Sequence, residues 1–158
     1  MKMAIIKALF AVVVMTGLSI TAQAKDHQQV INSTPVYVKE YQAITEVLNK
    51  YIEGCKKADS SIMKPAFSQN ATMYSIGSDG KLVGGSIQNL FDGVDKEFQP
   101  SPNAQAAITR IEIVGTAANA RIDANNMSGI SFTDFFQLLK VEGKWIVVSK
   151  IFYTHVAP

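Results

Sequence analysis

Apolar positions in the first half of the chain recur at helical spacing. Tyr37, Tyr41, Ile44, Leu48, Tyr51 and Cys55 follow one another in steps of 4, 3, 4, 3 and 4, which is one stripe of an amphipathic helix. Glu40, Glu46, Lys50 and Glu53 fall off that stripe. Pro35 suits a first helical turn, with Thr34 as its cap, so the spacing predicts a helix from Pro35 to about Lys57. Asp59 or Ser60 can cap a short second helix, Ser61 to Phe67, which Pro65 keeps short. Ser86 can cap a third, Ile87 to Glu97, and Pro100 and Pro102 close it.

Beyond these stretches the period falls to two. Ala71–Ile76 ends at the turn signal Gly77-Ser78-Asp79-Gly80, and Lys81–Val83 returns as a short strand. Ala107–Val114, Ala118–Ala124, Ser131–Val141 and Lys144–His155 read as four more strands, separated by Gly115-Thr116, by Asn125-Asn126 with Ser128-Gly129, and by Glu142-Gly143. Connections of hairpin length make most neighbours antiparallel, and the helices must cover one face of the sheet. The expected fold is therefore α+β: a cone-like, curved, mostly antiparallel sheet of about six strands, with three helices from the N-terminal half packed on its concave face. Such a cone encloses a concave, mostly apolar cavity suited to a small ligand.

A two-residue turn at Glu142-Gly143 would set Asp134 opposite Ile151 and Phe136 opposite Ser149. Alternation then places Phe132, Asp134, Phe136, Leu138, Trp145, Val147, Ser149, Ile151 and Tyr153 on one face. Thr133, Phe135, Gln137, Leu139, Ile146, Val148, Lys150 and Phe152 take the other. The first face is the more apolar and is assigned to the core and cavity. An acid among those neighbours is the informative feature, because a lone buried carboxylate is costly. It must meet a cation or a donor, such as Arg121 or a tyrosine, or be protonated. The second face is also apolar enough to suit a homodimer interface.

Composition narrows the picture. Of 158 residues 47% are hydrophobic and 18% charged, which excludes a disordered chain. One cysteine excludes a disulfide framework and a Cys-rich zinc module. Lys2 and Lys7, an apolar run from Ala8 to Ile20 and the Ala22-Gln23-Ala24 end form a secretory signal peptide, with cleavage after Ala24. The run is short for a membrane span, so no membrane anchor remains after cleavage, and residues 25–34 read as a polar, flexible segment ahead of a domain from 35 to 158. The expected location is periplasmic or secreted. Without Lys2 and Lys7, 13 basic residues balance 13 acidic ones. A neutral chain has no phosphate-binding surface, so nucleic acid is not an expected partner. His27 and His155 stand far apart with no ligand spacing, and Gly84-Gly85 lacks the lysine of a phosphate loop. No metal or cofactor is expected.

Tyr51-Ile52, the helix end at Ala58-Asp59, Phe67-x-x-Asn70-Ala71-Thr72 and Thr133-Asp134-Phe135 ahead of Gly143-Lys144-Trp145 together resemble the nuclear transport factor 2-like superfamily. That superfamily includes ketosteroid isomerase, scytalone dehydratase and polyketide cyclases. The run Asp134-Phe135-Phe136-x-Leu138-Leu139-Lys140-Val141-x-Gly143-Lys144-Trp145-Ile146-Val147-x-x-Lys150 is most similar to its putative lumazine-binding group. The resemblance to ketosteroid isomerase implies that Tyr51 matches an oxyanion tyrosine and Asp134 a protonated oxyanion aspartate. The position of the carboxylate base falls on Ser75, which has no basicity of its own. Two hydrogen-bond donors are thus expected without the proton-abstracting base.

The expected ligand-binding residues are Tyr51, Met73, Ser75, Asp134, Phe136 and Trp145. The first functional expectation is a binding protein that holds a small flat or apolar molecule in the cone, with Tyr51 and Asp134 as polar anchors. The alternative is an isomerase, dehydratase or cyclase with Asp134 as general acid or base and Tyr51 as electrophile. A third is an interaction role for the apolar outer face. Each residue also has a plain structural reading: Tyr51 as a core tyrosine bonded to backbone, Ser75 as a small lining residue, Trp145 and Phe136 as core, Cys55 as a buried thiol.

Overall fold

The computed structural model describes residues 34–155. Two groups of residues are described separately, those up to Val38 and those from Lys39 on. Of the first group only the opening turn of a helix is described, and the second carries the whole sheet. The proposed leader and the segment after it lie outside the described residues.

Helix α1 spans Thr34–Lys57. Its predicted stripe is buried only from Ile44 onward: Ile44, Leu48, Tyr51 and Cys55 are sealed, whereas Tyr37 and Tyr41 are exposed. Burying Ile44 and Leu48, at about 1.5–3 kcal/mol each, holds the helix on the sheet far more strongly than surface pairs such as Lys57–Glu53, which solvent screens. Ala58 ends the helix in the left-handed region at φ 55°. Helix α2, Ser60–Met63, is capped by Asp59, which accepts from the Ser61 amide. A 3-10 turn, Lys64–Ala66, with Pro65 in its first positions, completes the short helical segment. Helix α3 is Gln88–Glu97, and its Asp95 accepts from both the amide and the hydroxyl of buried Ser60, tying α3 to α2.

The strands are β1 (Phe67–Ile76), β2 (Leu82–Ser86), β3 (Gln105–Val114), β4 (Ala117–Met127), β5 (Ile130–Val141) and β6 (Lys144–His155). They form one six-stranded sheet in the order β2-β1-β6-β5-β4-β3. Every neighbouring pair is antiparallel except β1 and β6, which run parallel. The three helices and the six-stranded curled sheet match the expected α+β cone. Gly84 faces the β1 backbone so closely that a Cβ would stand 2.0 Å from the Met73 carbonyl oxygen, and its φ of 133° suits only glycine. Gly84 therefore serves the close contact between β2 and β1.

The β5–β6 register departs from the uniform one. Val141 to Leu138 pair with Lys144 to Val147 as expected, but Gln137 pairs with Ser149. Val148 is thus an extra residue in β6, a β-bulge, and every later side chain changes face. Asp134 lies opposite Phe152, and Phe136 opposite Lys150. Phe132, Asp134, Phe136, Leu138, Trp145 and Val147 do line the core. Ser149, Ile151 and Tyr153 do not. Ile151 and Tyr153 are exposed on the outer face, while Lys150, expected outside, is buried in the core.

Candidate functional site

The bulge brings three polar side chains together inside the cone. Tyr51 comes from the buried stripe of α1, Asp134 from the middle of β5, and Lys150 from β6 just beyond Val148. The Tyr51 hydroxyl donates to Asp134 Oδ2 at 2.7 Å. Lys150 Nζ stands 2.7 Å from Asp134 Oδ1 as an ion pair whose side chains are 3% and 0% exposed. Among the described residues no donor other than this ammonium reaches Oδ1. The Arg121 expected as a partner instead pairs with Asp123 on the outer face.

Apolar walls surround this cluster. The Tyr51 ring meets Phe136 edge-on at 5.0 Å and Phe67 at 6.2 Å, and Phe67 in turn meets Phe91 at 5.7 Å. Lys150 Nζ lies 4.1 Å from the Phe152 ring centre, 5.7 Å from that of Tyr51 and 5.9 Å from that of Phe132. These distances fit cation–π contacts. Its remaining neighbour is Met73 Sδ at 4.0 Å. Burial pushes the Asp134 carboxyl above the usual carboxylate range, against the pull of Lys150 and of the Tyr51 hydroxyl. Burial, reinforced by the Asp134 charge, raises the Tyr51 phenol well above its ordinary value. One turn along α1, burial pushes the Cys55 thiol up to about 12, which makes it an inert core group.

The six expected ligand residues divide. Tyr51, Asp134, Phe136 and Met73 meet around the cluster. Ser75, two residues beyond Met73 on β1, donates its hydroxyl to the Phe152 carbonyl oxygen at 2.8 Å. Trp145 belongs to a different contact: its Nε1 donates to Glu40 Oε2 at 2.6 Å, while Lys140 Nζ donates to Glu40 Oε1 at 2.6 Å. Those two donors hold the Glu40 carboxyl below its ordinary range. Lys150 is the member that face alternation missed. The available signal was a lysine set in the apolar run Trp145–Phe152, followed by the question of where its charge goes.

A separate groove of about 630 Å³ opens on the outer face of the sheet. Arg110, Arg121, Asp123, Phe135, Gln137 and Ile151 border it, and of the six expected residues only Phe136 reaches its lining. Beside it, Asp123 accepts from Thr109, Thr133 and Arg121, which lowers its carboxyl to about 2. Thr133 Oγ1 also lies 2.9 Å from His155 Nε2.

Inside the cone, the chemistry available is that of two hydrogen-bond donors and a carboxyl poised between them. Tyr51 can donate to an oxygen, Asp134 can carry or release a proton, and Lys150 can neutralise or anchor charge. Among the described residues no group of three or more His, Cys, Asp or Glu side chains is placed to hold a metal ion.

Comparison with known proteins identifies the family of the chain. Residues 39–153 match the family described as Putative lumazine-binding. A protein named Aldolase FrzH, from Cladobotryum sp, is 32% identical over 120 residues, covering 73% of this chain and 92% of that protein. An NTF2-like protein from Shewanella baltica OS155 is 65% identical, with TM-score 0.76 over 77% of this chain and 98% of that one. Another, from Methylobacillus flagellatus KT, is 40% identical, with TM-score 0.70 over 75% and 94%. The chain belongs to the putative lumazine-binding family of the NTF2-like superfamily.

Proposed function

We propose that this protein binds a small, oxygen-bearing organic molecule inside the cone, anchored by Tyr51, Asp134 and Lys150. The observation that carries the reading is the Asp134 carboxyl, fully enclosed yet held between a phenol at 2.7 Å and an ammonium at 2.7 Å. Perturbed, mutually bonded groups of this kind gather at functional sites. Met73 and Phe152, which border Lys150, are only half-buried, so the cluster lies one side chain beneath the surface at that end. The deciding experiment is native mass spectrometry of protein purified from its own cells. A co-purifying small molecule that is lost in Asp134→Asn supports the reading. A folded wild type that carries nothing, and binds no member of a panel of flat carbonyl and enol compounds, overturns it.

The similarity to Aldolase FrzH favours a second reading for the same residues, an enzyme acting on carbonyl compounds. Asp134 would be the general acid or base and Tyr51 the donor to the carbonyl oxygen. Ser75 hydrogen-bonds the Phe152 backbone and has no basic partner, so an isomerase-type base on β1 is not part of this proposal. We further place the working protein outside the cytoplasm, on the strength of the leader-like residues 1–24, and in a homodimer through the outer sheet face. Cell fractionation tests the first of these.

A further inference from the structure

Lys150 is a buried lysine, its side chain 3% exposed. Its ammonium can donate three hydrogen bonds, yet among the described residues its polar contacts are one carboxylate oxygen at 2.7 Å and one thioether at 4.0 Å, beside the rings of Phe152, Tyr51 and Phe132. An ammonium kept only for stability would do better at the surface, because a buried ion pair rarely repays its desolvation. A lysine attacks carbonyls as its neutral amine, and Asp134 Oδ1 at 2.7 Å is placed to take the proton that frees it.

Resting on the reading of the cone interior as the ligand site, we infer that Lys150 is the nucleophile that captures an aldehyde or ketone as an imine. The ammonium first gives a proton to Asp134 Oδ1, leaving a neutral amine beside a neutral carboxylic acid. The amine lone pair then forms the C–N bond, and the nitrogen passes one of its protons to the carbonyl oxygen, which becomes the hydroxyl of a carbinolamine. Asp134 returns its proton to that hydroxyl, which leaves as water as C=N forms. The net change is one carbonyl and one ammonium converted to one protonated imine and one water, with Asp134 again a carboxylate. The Tyr51 hydroxyl, already 2.7 Å from Asp134, is the donor placed to support the oxygen through these steps. An imine acidifies the adjacent C–H, so the chemistry this site would serve is the making or breaking of a carbon–carbon bond next to a carbonyl.

Reductive trapping tests this directly. The full chain is treated with limiting acetaldehyde and cyanoborohydride, and ethylation is mapped residue by residue. The inference expects Lys150 to be labelled ahead of Lys81, whose side chain is 80% exposed, and Asp134→Asn to lose the Lys150 label while Lys81 keeps its own. A purely structural ammonium gives the reverse order, with Lys150 the last lysine to react, and that result overturns the inference. The binding reading is checked separately on Lys150→Arg, which retains the cation. A variant and wild type that both retain the co-purifying molecule in native mass spectrometry, while Lys150 stays unlabelled, leave binding standing and remove only the imine.

Discussion

Lys150 reaches Asp134 because Val148 is one residue too many for the β5–β6 ladder. Had pairing continued as it begins at Val141 and Lys144, Ile151 would face Asp134 and Lys150 would point away from the core. With the bulge, Phe152 takes the position opposite Asp134, and Lys150, opposite Phe136, turns inward. One inserted residue thus decides whether a buried carboxylate has a counter-ion.

The pair is the first target for measurement. Lys150→Met leaves Asp134 enclosed without its cation, and Asp134→Asn leaves the cation enclosed without its anion. Breaking a buried pair from one side costs about 3–5 kcal/mol, so each single variant should lose that much in urea unfolding. The double variant should recover most of the loss, because neither charge is then stranded. A cycle with no coupling energy would show that the two groups do not interact in the folded protein.

Tyr51→Phe removes the donor to Asp134 Oδ2 while keeping the ring among Phe67 and Phe136. The phenol hydrogen bond favours the ionised carboxyl and so holds its titration point down. Its loss should move Asp134 further above the usual carboxylate range and destabilise the fold by about 1–3 kcal/mol. A carboxyl whose folded titration point is raised contributes stability on the acidic side, which is lost as pH rises through that point. The variant should therefore deviate from wild type more at neutral than at acidic pH. Carbon-13 titration of the Asp134 carboxyl reads the shift itself.

On the outer face the sign is opposite. Asp123 titrates near 2 because Arg121, Thr133 and Thr109 all favour its charged form. That contribution is complete above the ordinary aspartate range and disappears as pH falls toward 2. The side chain is about a third exposed, so screening reduces its worth to about 1 kcal/mol. Asp123→Asn should accordingly match wild type at the acid end and fall below it from mild acid upward in pH-dependent thermal unfolding.

How far the chain announced this structure can be judged at single residues. Tyr51 and Asp134 were legible: one lies on a 3.6-residue stripe, the other is the sole acid on an apolar face, and both meet inside the cone. The leader-like residues fall outside the described part. Lys150 was legible as a charge in an apolar run but not in the face it takes, since a period of two carries no mark of where a residue is skipped. The bulge sits beside the parallel β1–β6 pairing, where β1 runs five residues from Phe67 to Thr72 while β6 advances only from Val147 to Ser149. Both irregularities belong to the contact between strands far apart in sequence, and local pattern does not encode them. Trp145 was placed correctly in the core, but its partner Glu40, 105 positions away, was read only as a residue off the helix stripe.

The uncovered face of the sheet supplies the last prediction. All three helices lie on the other side, yet Phe135, Leu139, Ile151 and Tyr153 on β5 and β6 are between 43% and 62% exposed. Four large apolar side chains on one face form the kind of patch that monomers rarely leave in water. Arg121 stacks near Phe135, with its guanidinium 5.8 Å from the ring, and pairs with Asp123. The face therefore carries both signs of charge around an apolar centre, as a self-complementary two-fold interface requires. Sedimentation equilibrium of the wild type should give twice the chain mass at micromolar concentration. Phe135→Glu together with Ile151→Glu places like charges at the centre and should give a folded monomer, with the Tyr51–Asp134 contact on the opposite face untouched. A wild type that sediments as a monomer removes the second copy as the occupant of this face.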